Sequence, residues 1–124
     1  MRNCNQLDLI VRDVPAATAF FRDVVGLPVR VEDARFAELD GGAIMIMLSP
    51  DALVPVQEAA GVILHIQVDD VEGALERARR SGAAVLLEPT RTDWGTESAM
   101  IAGPEGIIVD FYRQVGPHQP EAAS

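Results

Sequence analysis

An internal repeat divides the sequence into two halves of similar pattern. Residues 9–21 read LIVRDVPAATAFF and residues 66–78 read IQVDDVEGALERA, so that Val11 corresponds to Val68, 57 positions later. In each segment an apolar strand-like run is followed by an aspartate and then by apolar residues at helical spacing. The repeat therefore predicts two modules that each begin with a strand and a helix.

Both predicted helices have recognisable ends. The first is predicted over 14–25 and the second over 71–81. Each follows an aspartate that can accept hydrogen bonds from the free N–H groups of the first turn, and each ends at a glycine. The four end residues are Asp13, Gly26, Asp70 and Gly82.

Three strand-like runs follow each helix, which completes a βαβββ pattern twice. In the first half they are 29–31, 36–39 and 43–48, and in the second half 84–87, 98–102 and 107–112. The sequences DGG (40–42) and GPEG (103–106) predict turns between the last two strands of each half. The predicted organisation is a first module at 1–48, a connector at 49–61, a second module at 62–113 and a disordered tail at 114–124, which contains His118.

Alternation along the strands separates two faces of each predicted sheet. One face is apolar and should pack under the helix, whereas the other mixes apolar and polar side chains. Such a mixture is typical of a small-molecule pocket and unlike either a core or a solvated surface. The mixed face comprises Gln6, Asp8, Ile10, Met45, Met47, Ile63, His65, Gln67, Ile108, Asp110 and Tyr112.

Charge and composition narrow the range of partners. The net charge is −9, so nucleic acid and anionic membrane surfaces are disfavoured, and a neutral or cationic ligand is favoured near Asp8, Glu38 and Asp110. Cys4 is the single cysteine, which excludes an internal disulfide. The sequence shows no signal-peptide or membrane-span pattern, and a cytoplasmic location is the expectation.

Three segments resemble the vicinal oxygen chelate superfamily, which includes glyoxalase I, extradiol dioxygenases and bleomycin-resistance proteins. They read LIVRDVPAATAFFRDVVGLPV (9–29), IQVDDVEGALERARRSGAAV (66–85) and GPEGIIVDFYR (103–113), and the resemblance covers about residues 6–113. It implies an α+β fold in which two tandem βαβββ modules form a cupped mixed sheet that holds the ligand. It also implies a homodimer.

The resemblance places four metal-ligand positions at Gln6, Met47, Ile63 and Asp110. Met47 and Ile63 offer no oxygen or nitrogen donor, so we predict neither a metal ion nor a cofactor. A displaced site formed by His65 with Gln6, Asp8 and Asp110 is an alternative. In the simpler interpretation, His65 only forms a hydrogen bond with a carboxylate or with Gln67.

The polar segment TRTDWGTES (90–98) holds the single tryptophan and is predicted to be a loop. Trp94 on such a loop can stack on a planar ligand, although it can also cap the sheet or pack at a dimer contact. Phe36 is predicted to add a second aromatic wall. Glu38 on the same strand is predicted to bind a cationic group.

Together these features favour a binding protein over an enzyme. We predict a metal-free protein that sequesters a planar aromatic or peptide antibiotic, as in drug resistance or self-resistance, with no catalytic residue. The predicted ligand-binding residues are Gln6, Asp8, Phe36, Glu38, Met45, Met47, Ile63, His65, Gln67, Trp94, Asp110 and Tyr112. The alternative is a lyase, isomerase or dioxygenase that uses a displaced metal or metal-free acid/base catalysis by Asp8, His65 and Asp110.

Overall fold

A computed structural model describes residues 1–57 and 61–116, and the chain divides into two compact units, Met1–Ala60 and Gly61–Ser124. Each unit contains a four-stranded mixed sheet and a helix between its first two strands. The predicted α+β fold with two βαβββ modules is confirmed.

The first unit contains strands β1 to β4 in the spatial order β1-β4-β3-β2. β1 pairs with β4 in parallel, and the other neighbours are antiparallel. Helix α1 continues directly into a segment of π-helix. The elements are β1 (Gln6–Ile10), α1 (Val14–Ala19), the π-helical segment (Phe20–Val25), β2 (Val29–Glu32), β3 (Ala37–Asp40) and β4 (Met45–Ser49).

The second unit repeats this topology, with the spatial order β5-β8-β7-β6 and a parallel pair β5–β8. A short 3₁₀ turn, Pro104–Gly106, precedes the last strand. The elements are β5 (Ile63–Gln67), α2 (Val71–Arg80), β6 (Val85–Arg91), β7 (Thr96–Ala102) and β8 (Ile108–Gln114).

The predicted helix ends are confirmed in both units. The Asp13 carboxylate accepts a hydrogen bond from the Ala16 N–H at 3.0 Å, and the Asp70 carboxylate accepts one from the Gly73 N–H at 3.0 Å. Gly26 ends the first helical segment in a left-handed conformation with φ of 88°. The first helix differs from prediction only in its second half, where a π-type bond from the Gly26 N–H to the Phe21 carbonyl widens the last turn.

Apolar side chains on the helix-facing side of each sheet form the core of that unit. The core of the first unit includes Leu9, Val14, Phe21, Ile46 and Leu48, and that of the second includes Leu75, Ala78, Ile101, Val109 and Phe111. Close packing of these side chains against the helix fixes the direction of the alternating residues between them. The opposite side of each sheet, which we call the open face, carries the mixed residues.

An ion pair at the end of β3, on the open face, stabilises the hairpin of the first unit. The Arg30 guanidinium lies 2.6 Å from the Asp40 carboxylate, whose other oxygen accepts a hydrogen bond from the Gly42 N–H at 2.8 Å. The Arg30 hydrogen bond, followed by that of Gly42, lowers the pKa of the Asp40 carboxyl. Gly42 supplies the positive φ of the turn, at 87°.

Several observed strands are longer than the predicted ones. β6 runs on to Arg91 and β7 begins at Thr96, so the predicted loop at 90–98 contracts to a bend at 92–95. β8 extends to Gln114, one residue into the predicted tail. In the connector, residues 50–57 form neither helix nor strand. Residues 58–60 of the connector and 117–124 of the tail, including His118, lie outside the described residues. Within the described ranges, no helix has the length and hydropathy needed to cross a membrane.

Candidate functional site

The open face of the second unit carries a histidine–aspartate pair on β5 and β8. β5 and β8 are parallel neighbours in a register that places His65 beside Asp110. The His65 Nδ1 atom lies 2.7 Å from the Asp110 Oδ2 atom. Asp110 is buried, with 3% of its surface exposed, whereas 59% of the His65 side chain is exposed. The sheet therefore holds the carboxylate rigidly, and the carboxylate in turn orients an accessible imidazole.

The second carboxylate oxygen of Asp110 has no hydrogen-bond partner among the described residues. This Oδ1 atom is buried. Buried acceptors without a partner are uncommon in folded proteins. Among the described residues, His65 is therefore the single hydrogen-bond partner of the Asp110 side chain.

Tyr112 forms the aromatic neighbour of this pair. It follows Asp110 by two residues on β8, so both side chains lie on the open face. The Tyr112 and His65 rings meet edge to face, with centroids 6.1 Å apart and planes at 85°. The His65 ring thus has an aromatic neighbour in addition to its hydrogen bond with Asp110.

A row of hydroxyl side chains borders the pair on β6 and β7. Thr96 and Ser98 are buried, and their hydroxyl oxygens lie 3.4 Å apart. The Thr96 hydroxyl also lies 2.8 Å from that of Thr92. Thr90 pairs across the strands with Ser98. These four residues alternate at 90, 92, 96 and 98, as required for side chains on one face of a hairpin.

Trp94 lies at the tip of the β6–β7 hairpin and is 64% exposed. The bend that carries it is closed by a hydrogen bond from the Thr92 N–H to the Thr96 carbonyl at 2.8 Å. A further bond from the Val115 N–H to the Gly95 carbonyl, at 3.0 Å, ties the tip to the end of β8. The exposed indole therefore lies on a turn that two backbone hydrogen bonds hold in place.

These groups line an open cavity of about 550 Å³ within the second unit. This volume is in the range of small-molecule sites. The apolar and aromatic lining consists of Leu87, Trp94, Met100 and Tyr112, and the polar lining consists of the His65–Asp110 pair and the hydroxyls of Thr90, Thr92, Thr96 and Ser98. The cavity combines surfaces for a flat apolar body with polar groups that can orient its edges.

Four predicted site residues meet in this cavity, namely His65, Trp94, Asp110 and Tyr112. Ile63 and Gln67 lie on the edge strand β5 and are exposed, but neither lines the cavity. Of the two hydrogen-bond partners predicted for His65, a carboxylate and Gln67, the structure shows the carboxylate, that of Asp110.

The other six predicted residues belong to the first unit. Gln6 pairs with Met45, and Asp8 and Glu38 both pair with Met47, so these five lie on the open face of that sheet. Both methionines are half-buried, and Gln6 and Asp8 are exposed. Phe36 is half-buried immediately before β3. A ligand-binding role for these six residues remains a prediction.

Sequence reasoning did not identify six of the lining residues. They are Leu87, Thr90, Thr92, Thr96, Ser98 and Met100, all in the extended β6–β7 hairpin. The usable signal was the spacing of threonine and serine at every second position in residues 90–92 and 96–98. That period indicates a strand face, but the polar composition favoured a loop.

The donor set fits a divalent metal ion poorly. Of the four positions implied by the resemblance, Met47 and Ile63 carry no oxygen or nitrogen donor, and Mg²⁺, Mn²⁺, Zn²⁺ and Fe²⁺ all require such donors here. Within residues 1–57 and 61–116, no three His, Cys, Asp or Glu side chains are grouped closely enough to hold an ion. We therefore derive the chemistry of the site from its protein groups alone.

Comparison with known proteins identifies one family and many solved structures of similar fold. Residues 3–114 match the model of the Glyoxalase/Bleomycin resistance protein/Dioxygenase superfamily. No curated protein matches the chain. A solved structure described as a conserved domain protein is 40% identical, with a TM-score of 0.83 over 91% of this chain and 99% of that chain.

Two further solved structures share the fold at lower identity. TnmS3, an antibiotic binding protein from Streptomyces sp. CB03234, is 21% identical, with a TM-score of 0.76 over 92% of this chain and 97% of that chain. A lactoylglutathione lyase from Agrobacterium tumefaciens is 24% identical, with a TM-score of 0.71 over 91% of this chain and 94% of that chain. At these identities the likeness shows the fold alone, which accommodates both a binder and an enzyme.

Proposed function

Because the chain belongs to the Glyoxalase/Bleomycin resistance protein/Dioxygenase superfamily, we propose that it is a small-molecule binding protein that captures a planar aromatic or peptide antibiotic. Capture is stoichiometric and requires no metal ion and no chemical step. The ligand occupies the cavity of the second unit, with its flat body against Trp94. Sequestration of this kind confers drug resistance or self-resistance.

The observation that carries the proposal is the exposed indole beside the cavity. A tryptophan that is 64% exposed keeps most of its apolar surface in water, and a ligand that covers it gains both hydrophobic and stacking energy. Because two backbone hydrogen bonds hold the turn around Trp94 in place, the backbone of the turn loses little conformational entropy when a ligand covers the ring. Met100 adds a polarisable wall that contacts aromatic rings well.

We also propose that the open face of the first unit, taken by itself, is a ligand-contacting surface. Met45 and Met47 present half-buried thioethers there, flanked across the strands by Gln6, Asp8 and Glu38. Thioether surfaces adapt to ligands of different shape, and neighbouring carboxylates favour a cationic edge. Phe36 adds an aromatic surface at the start of β3.

A titration series tests capture directly. Because Trp94 is the only tryptophan, a panel of planar aromatic antibiotics is expected to quench the fluorescence of the wild-type protein saturably. Leu87→Ala, which shortens a cavity wall, is expected to weaken binding by about three- to tenfold, since part of one leucine contact is lost. Trp94→Ala, measured by calorimetry because it lacks the fluorophore, is expected to weaken binding by about tenfold or more.

The neighbouring leucine supplies a matched control. Leu86 is 53% exposed on the same strand but does not line the cavity, so Leu86→Ala should leave the affinity unchanged. If Leu87→Ala and Trp94→Ala bind every antibiotic as tightly as the wild type, the ligand lies elsewhere and the proposal for this cavity fails.

An enzymatic role is a second candidate, and the His65–Asp110 pair favours it. A histidine oriented by a buried carboxylate is the arrangement of many general bases. Such a base could remove a proton from a bound substrate without a metal ion. Conversion of a bound compound by the wild type, lost in a His65→Phe protein that circular dichroism shows to be folded, would replace capture with catalysis.

We further propose that the chain acts as a homodimer in the cytoplasm. Several large apolar side chains are exposed to solvent, among them Leu53 (105% exposed), Val54 (65%) and Leu86 (53%). Exposed apolar side chains of this kind support a dimer, because a partner chain can cover them. Light scattering of the purified protein should give twice the mass of the 13.3 kDa chain. A monomeric mass at micromolar concentration would contradict the dimer.

A further inference from the structure

The hydrogen bond between His65 and Asp110 determines which imidazole nitrogen a ligand can meet. An ionised carboxylate only accepts hydrogen bonds, so the Nδ1 atom at 2.7 Å must carry the proton in neutral His65. The Nε2 atom is then left with a lone pair. It has no hydrogen-bond partner among the described residues, and the ring that carries it lines the cavity. The cavity therefore presents a basic acceptor to its occupant.

We propose that the ligand captured here is a hydroxylated aromatic compound, a phenol, whose hydroxyl group donates to the Nε2 atom of His65. This inference rests on the proposed function and names the ligand class of the same cavity. The phenol keeps its proton: its hydroxyl group donates, and the lone pair of Nε2 accepts. No covalent bond is broken, no electron is transferred, and no co-reactant is needed.

The surroundings of the ring leave Nε2 available to such a donor. Asp110 is 3% exposed and makes its one described hydrogen bond to Nδ1 of His65, so the carboxylate engages the other nitrogen of the ring. Among the residues that line the cavity, Tyr112 is the only other titratable group near the ring, and the two rings meet edge to face. No lysine or arginine lines the cavity, so no cationic side chain of the lining competes with the ligand for Nε2.

The shape and chemistry of the walls select a phenol over other hydrogen-bond donors. A phenolic hydroxyl lies in the plane of its ring, so one rigid molecule can present a donor edge to His65 and a flat face to the apolar lining. Leu87, Met100 and Trp94 supply that lining. A ligand that enters as a carboxylate or phosphate brings no proton to Nε2 and adds a negative charge near Asp110, which is unfavourable.

A naphthol and its ether separate this inference from capture in general. The probes are 1-naphthol, which stays protonated at neutral pH, and 1-methoxynaphthalene, which keeps the ring but has no donor. The wild type is expected to bind the naphthol at least tenfold more tightly than the ether.

Two variants test whether His65 is the acceptor. His65→Phe removes the lone pair but leaves Asp110 buried without any partner, which can unfold the protein. The double variant His65→Phe/Asp110→Leu removes both polar groups and avoids that buried charge. In the double variant the naphthol and the ether should bind equally, and the affinity for the ether should stay close to that of the wild type.

The outcomes distinguish the two proposals. If the wild type binds both probes with equal affinity, or if the double variant keeps the preference for the naphthol, the phenol inference is overturned and capture of planar aromatics stands. If the wild type binds neither probe nor any antibiotic of the panel, both proposals fail together.

Discussion

Phe111→Ala is expected to lower the free energy of unfolding by about 3–5 kcal/mol, the usual cost of removing a buried phenylalanine ring. Phe111 is 1% exposed, and it pairs with Ile66 on β5 and with Ala99 on β7. Helix α2 packs on this side of β8, so the ring is enclosed by the sheet and the helix. Alanine would leave a void that closely packed neighbours fill only in part.

The residue next to Phe111 supplies the control. Tyr112 points to the opposite face and lines the cavity, so Tyr112→Phe keeps the ring and should change the free energy of unfolding by less than about 1 kcal/mol. Urea denaturation followed by circular dichroism measures both variants. Since small domains are stable by about 5–15 kcal/mol, Phe111→Ala should lose a large part of the total. A loss below that of Tyr112→Phe would contradict the assignment of faces on β8.

The helices and the core could be predicted from sequence because their signals are local. Asp13 and Asp70 stand immediately before helices whose first-turn N–H groups they accept, and such a cap needs no knowledge of the rest of the fold. The alternation along β1 and β8 likewise placed Leu9 and Val109 under the helices. A period of two is a property of the strand itself.

The cavity could be predicted only in part because its hairpin depends on distant partners. Residues 90–98 are polar and include a bend, and this composition alone is typical of a loop. They become strand because Thr90 pairs with Ser98 and Arg91 with Glu97, while Arg113 of β8 binds the Glu97 carboxylate at 2.8 Å. The pairing of His65 with Asp110 depends in the same way on the β5–β8 register, which alternation permits but does not determine.

The two units show that the cavity comes from sequence divergence within a repeated fold. Asp8 pairs with Met47 in the first unit where His65 pairs with Asp110 in the second, so a thioether replaces the carboxylate. β2 and β3 have 4 residues each, whereas β6 and β7 have 7. The longer hairpin carries Trp94 and the hydroxyl row. The same topology thus gives one unit an acidic thioether surface and the other a cavity with a basic acceptor.

Ser98→Phe is expected to abolish ligand binding in the cavity, with a loss of affinity of at least about a hundredfold, equivalent to about 2.8 kcal/mol. Ser98 is 4% exposed and lies between Thr90 and Tyr112 across the strands. A phenyl ring on this residue would extend into the 550 Å³ space that the ligand needs. Trp94 fluorescence with the antibiotic that binds the wild type best measures the effect.

The fold should tolerate this change, because the added ring enters an open cavity instead of a packed core. We expect a cost of at most about 1–3 kcal/mol in the free energy of unfolding, the range for overpacking. Ser98→Ala is the matched control, since it removes a hydroxyl whose one described contact, to Thr96, is long at 3.4 Å, and it leaves the cavity open. Its affinity should stay within about threefold of the wild type, since only a weak polar contact is lost. A folded Ser98→Phe protein that still binds the antibiotic tightly would place the ligand outside this cavity, whatever the behaviour of the alanine variant.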